Sequence, residues 1–71
     1  MTILEAAIQV MQTRAEPMSV EEIYDAILAA ELYKFGAKHP RSVLSSTLRN
    51  HLKRSESPRV VEVSKGLFRA T

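Results

Sequence analysis

Leu44, Leu48 and Leu52 recur at intervals of four between Pro40 and Arg54, and that row limits the fold more than any other feature of the chain. At roughly 100° per residue, positions four apart stack on one side of a helix. Three stacked leucines make an apolar stripe that other elements have to cover. The spacing predicts one helix over 40–54. Its other side gathers Ser42, Ser46, Arg49, Asn50 and Lys53, which bring hydroxyls, an amide, a guanidinium and an ammonium but no carboxylate. A solvated helix face ordinarily mixes both signs of charge. Donors and cations alone suit phosphates and base edges.

What can cover the stripe is limited by length. The chain has 71 residues, enough for one domain with one modest core and close to the lower limit for folding without staples. It has no cysteine, so neither a disulfide framework nor a cysteine zinc site is available. Apolar packing has to supply the stability, and a chain that is 45% hydrophobic and 25% charged has an ordinary globular balance. No apolar run approaches a membrane span, and no basic start followed by an apolar core marks a secretion signal. The expectation is a single domain over 1–71, standing alone or within a longer protein. Its expected location is the cytoplasm, beside a nucleoid or in a nucleus.

Charge is divided along the chain. Through Tyr33 six carboxylates face the single Arg14, a net −5; from Lys34 onward nine cations face Glu56 and Glu62, a net +7, which together give the +2 of the whole chain. Such polarity steers one face toward a polyanion and leaves the other for solvent or a protein. The positive half also holds the 40–54 helix.

The remaining elements follow in order. Thr2 with Glu5 reads as a capping box, opening a helix of about twelve residues that ends near Arg14. Ile3, Leu4, Ala7, Ile8, Val10 and Met11 share its apolar face. Glu16-Pro17 breaks it, and Pro17-Met18 reads as an extended link with room for a strand of one or two residues. Ser19 with Glu22 is a second capping box, with Met18 and Ile23 placed as a hydrophobic staple. The second helix is expected over 19–31. It should bury Val20, Ile23, Tyr24, Ile27, Leu28 and Ala30, and turn Glu21, Glu22 and Asp25 outward. In the connection LYKFGAKH, Leu32, Tyr33 and Phe35 are apolar enough to pack over the core edge, and Gly36 is free to take a backbone angle other residues resist. Pro40 suits the first position of the third helix, with His39 a poor cap before it. After the turn-like SESP come RVVEV, SKG and LFRAT, which form a β-hairpin pattern.

Chemistry beyond binding is not indicated. His39 and His51 stand apart with no further ligand types at metal spacing; His51 reads as a half-buried packing residue and His39 as surface. The clustered acids of the second helix fit its dipole and solubility. There is no Gly-rich phosphate loop, no HExxH and no nucleophile set of informative spacing. Neither a cofactor, a metal nor an enzymatic activity is expected.

Helix, extended link, helix, turn, helix and basic hairpin is the order of a winged helix-turn-helix: an α+β fold of three helices with a C-terminal hairpin wing. At this point the chain also resembles the HARE-HTH family, through LEAAIQVM, PMSVEEIYDAIL, LYKFGAKHP, the LxxxLxxxL helix ending in LKR, and VVEVSKGLFRA. His39 departs from it, standing where a threonine cap is common. The family is a winged-helix module of restriction endonucleases and Asx-like chromatin proteins, with a relative in the delta subunit of bacterial RNA polymerase. The resemblance implies a DNA-facing role in transcription regulation or restriction-modification, attached to a larger effector. It carries no catalytic residue.

Two functions compete. In the first, double-stranded DNA is bound by Ser42, Ser46, Arg49 and Asn50 toward the major groove, with Arg41 beside them and Lys38, Lys53, Lys65 and Arg69 toward phosphates. In the second, the chain is a protein-interaction module of a transcription or nuclease complex, contacting RNA polymerase or a host effector domain through Glu21, Glu22 and Asp25.

Overall fold

The computed structural model describes residues 2–14 and 16–71, and builds the chain as three helices and a three-stranded sheet. The first helix, α1 (Ile3–Thr13), opens on the expected capping box. Thr2 Oγ1 accepts from the Glu5 amide at 3.1 Å, and a Glu5 carboxylate oxygen accepts from the Thr2 amide at the same distance. Its partner α2 (Val20–Ala29) repeats the device at Ser19 and Glu22, with bonds of 3.2 and 3.0 Å. Accepting a backbone N–H favours the ionised carboxylate. The bonds from Thr2 and Ser19 therefore hold Glu5 and Glu22 below the ordinary carboxylate range. Met18 and Ile23, the staple pair, are both buried.

The second helix ends earlier than its pattern predicts. Ala30 caps it, and Glu31 then takes a left-handed φ of 54°. The Glu31 amide donates to the Leu28 carbonyl at 3.1 Å, and the Leu32 amide to the Ile27 carbonyl at 3.2 Å. That pair of bonds is a Schellman termination, whose left-handed position is usually glycine. Periodicity alone cannot see this stop. Leu28 and Ala30, expected in the buried stripe, are exposed, Leu28 by 44%. Left-handed backbone falls at Glu31 and Gly66, not at Gly36.

The third helix, α3 (Pro40–Arg54), has the expected bounds, with Pro40 in its first turn and no side-chain cap bond from His39. Strands β2 (Val60–Ser64) and β3 (Leu67–Ala70) form the hairpin. The two-residue β1 (Met18–Ser19) pairs antiparallel with the far side of β3, Met18 opposite Phe68, so the sheet order is β1-β3-β2. In the hairpin Glu62 lies opposite Phe68 and Ser64 opposite Leu67, so Val63 is the extra residue of a bulge and stands 42% exposed. Bulges add twist and bend a ribbon out of plane.

The helices pack on one another, with α1 also against β3 and α3 against β2. The core holds Ala6, Ala7, Ile8, Val10, Met11, Met18, Ile23, Ile27, Leu44, Leu48, Val60 and Phe68. Leu4 and Leu52, from the apolar faces of α1 and α3, are only half-buried at its edge, together with Leu32, Tyr33 and Phe35. No helix among the described residues is long and apolar enough to cross a membrane.

Candidate nucleic-acid interface

Burying Leu44 and Leu48 fixes the rotation of α3, and with it everything on its outer side. Ser42, Ser46, Arg49, Asn50 and Lys53 are all exposed. Two open depressions run along this face. One is lined by Ala37, Lys38, His39, Ser42, Val43, Ser46, Thr47 and Asn50. The other is lined by Ser46, Arg49, Asn50, Leu52, Lys53 and Glu62. Ser46 and Asn50 line both, so they form the ridge between them. Arg49 is braced on its own helix, its Nε donating to Ser45 Oγ at 3.5 Å. No acid lies in the first turn of α3, and its last turn carries His51, Lys53 and Arg54, where cations complement the helix dipole.

The wing is tied to this helix at its base and stiffened at its tip. His51 is half-buried, as its pattern predicts, and its Nε2 accepts the Arg59 amide at 2.9 Å just before β2. The Thr71 amide donates to the Arg59 carbonyl at 3.0 Å, closing the open end of the hairpin. At the other end Gly66 takes a φ of 82°, and its amide donates to a Glu62 carboxylate oxygen at 3.0 Å. Only glycine adopts that angle readily. Lys65 is exposed in this turn.

The structure thus brings together Lys38, Ser42, Ser46, Arg49, Asn50 and Lys53, with the wing alongside. Two of the residues expected there go elsewhere. Arg41 lies over the Tyr24 ring at 5.0 Å and its Nε is 3.8 Å from Glu21, so its charge is directed at α2. Arg69 borders a depression with Met11, Gln12, Arg14, Ala70 and Thr71, at the end of α1. Both belong to the basic half of the sequence, and only the fold separates them from this face. Glu62 stands beside Lys53 on this face, a neighbour that no local sequence pattern announces. Glu21, Glu22 and Asp25 are exposed on α2 as expected, with Glu22 engaged in its cap. Among the described residues no group of three or more His, Cys, Asp or Glu side chains is arranged to hold a metal ion.

Three packed helices, an extended link that pairs with a C-terminal hairpin, and a third helix with a polar, cationic outer face define a winged helix-turn-helix, a DNA-binding class. The chain belongs to the HARE-HTH family, described as an ASXL and restriction endonuclease HTH domain, whose model matches residues 1–71. Neither a curated protein nor a solved structure gives a significant match.

Proposed function

We propose that the chain binds double-stranded DNA with α3 toward the major groove and the wing against the phosphate backbone. One observation carries this reading. The exposed face of α3 offers hydroxyl, amide, guanidinium and ammonium groups along its length, and no carboxylate of its own. Asn and Arg are the side chains that pair with adenine and guanine edges through two hydrogen bonds, and serine serves either base type. Lys38 and Lys53 flank that row, and Lys65 stands on the wing, where charges meet phosphates rather than bases. Arg41 and Arg69 are left out of this interface, since one is held on α2 and the other borders α1.

In this reading the chain performs no chemistry on the nucleic acid; it supplies the DNA contact for an effector activity located in a larger protein or a partner. It acts where DNA is, in a bacterial cytoplasm or a nucleus. Titrating a labelled duplex at low and at physiological salt tests it. With a handful of phosphate contacts, affinity falls steeply as salt rises, because bound counterions are released. A flat salt response would exclude the phosphate contacts.

A further inference from the structure

The outer face of α2 has a composition unlike that of α3. Tyr24 and Asp25 lie three and four residues after Glu21, and Leu28 lies four and three after them, so the four share a face. Beside them the loop after α2 folds back, and Tyr24, Leu28, Glu31, Tyr33, Lys34 and Phe35 enclose a cleft. The floor is aromatic: the Phe35 ring stands 5.0 Å from Tyr24 and 5.1 Å from Tyr33, at interplanar angles of 56° and 67°. Leu28 opens onto it with 44% of its surface in solvent.

Charge identifies the occupant. Glu21, Asp25 and Glu31 border or adjoin this cleft, in the half of the chain whose net charge is −5. Of these only Glu21 has an ion-pair partner among the described residues, Arg41 at 3.8 Å. Asp25 and Glu31 are exposed carboxylates without one; the cations at hand are Lys34, which lines the cleft, and Arg41, which lies over the Tyr24 ring and is paired with Glu21. Nucleic acid is repelled by such a rim. A neutral apolar ligand would leave the carboxylates unused.

We propose that this cleft docks a basic amphipathic segment of a partner polypeptide, an aliphatic side chain resting on Leu28 and the Tyr33 and Phe35 rings while lysines or arginines meet Asp25 and Glu31. Apolar anchoring in a groove with charges at the rim is a recurrent mode of helix recognition. The face is separate from the exposed residues of α3 proposed to meet DNA, so the domain can hold both at once. Glu22 takes no part, because its carboxylate is bonded to the Ser19 amide.

The test titrates the ¹⁵N-labelled chain with a short synthetic peptide that sets leucine at helical spacing among lysines. A second peptide has every leucine replaced by glutamine. Amide shifts are expected to map to Tyr24, Leu28 and 31–35. Leu28→Gln and Asp25→Lys should each weaken the leucine peptide about tenfold, and Leu28→Gln, which changes no charge, should leave duplex DNA affinity unchanged. Leu28 is already largely in solvent, so the fold should survive its replacement, and an unchanged melting temperature checks this. The proposal fails if shifts map to α3 and the wing, or if the glutamine peptide binds as tightly. It also fails if neither substitution weakens binding. Concentration-dependent dimerisation that Leu28→Gln abolishes would assign the cleft to a second copy of this chain and overturn the partner-polypeptide reading.

Discussion

Glu31 holds a backbone angle that its side chain disfavours. A φ of 54° brings Cβ toward the following carbonyl, a contact that costs an L-residue about 1–2 kcal/mol in left-handed helical geometry. Glycine would remove the clash and retain both Schellman bonds, at a cost of about 0.5–1 kcal/mol for its larger unfolded ensemble. Clash relief is the larger quantity. Glu31→Gly should therefore raise stability, by up to about 1 kcal/mol, in urea denaturation. A lower midpoint would mean that the carboxylate itself contributes to folding. This residue also shows where sequence reading stops. The stripe through Ile27 and Leu28 continues smoothly to Ala30 on a helical wheel, and the termination at Ala29 depends on an angle that glutamate gives no sign of adopting.

The element scale was largely legible because its signals are local. Capping boxes at Thr2–Glu5 and Ser19–Glu22, Pro40 in the first turn and the glycine of the wing turn each act within a few residues of themselves. The pairing of β1 with β3 was not legible: it joins Met18 to Phe68, fifty positions apart, and no local pattern announces it. The placements of Arg41 on Tyr24 and of Arg69 beside α1 are equally non-local. Two predictions belong here. Leu48 is fully buried, so Leu48→Ala should cost about 2–5 kcal/mol, a large share of what a small domain has; chemical denaturation measures it. The caps make a second prediction, about pH. Glu5 and Glu22 titrate below the ordinary glutamate value of 4.5 in the folded chain, so their contribution is present above that value and lost as pH falls through the folded pKa values. The urea midpoint should drop on acidification below about pH 4.5. In the Glu5→Gln, Glu22→Gln double variant that drop should be smaller. An identical acid response in both proteins would remove the caps as its cause.

At the scale of the whole molecule, the division of charge becomes a partial division of surfaces, with Arg41, Lys34 and Arg69 crossing to the α1 and α2 side. The acidic half lies mostly on α1 and α2, and the basic half on α3 and the wing. Within the basic half, the proposed binding mode separates reading from holding. Arg49 and Asn50 project from the middle of α3, with Arg49 braced by Ser45, where a helix in the major groove presents side chains to base edges. Lys65 stands at the wing tip on a turn fixed by Gly66 and Glu62, where the proposed binding mode puts it against backbone rather than bases. Arg49→Ala should therefore cost about 1–3 kcal/mol on a preferred duplex and less on a random one. Lys65→Ala should weaken both duplexes alike and make the salt slope shallower by about one unit. Both side chains are exposed and outside the core, so both variants should keep their melting temperature. Fluorescence anisotropy on the two duplexes across a salt series separates the two effects. Parental binding by both variants on every duplex would overturn the proposed assignment of base reading to α3 and of phosphate contact to the wing.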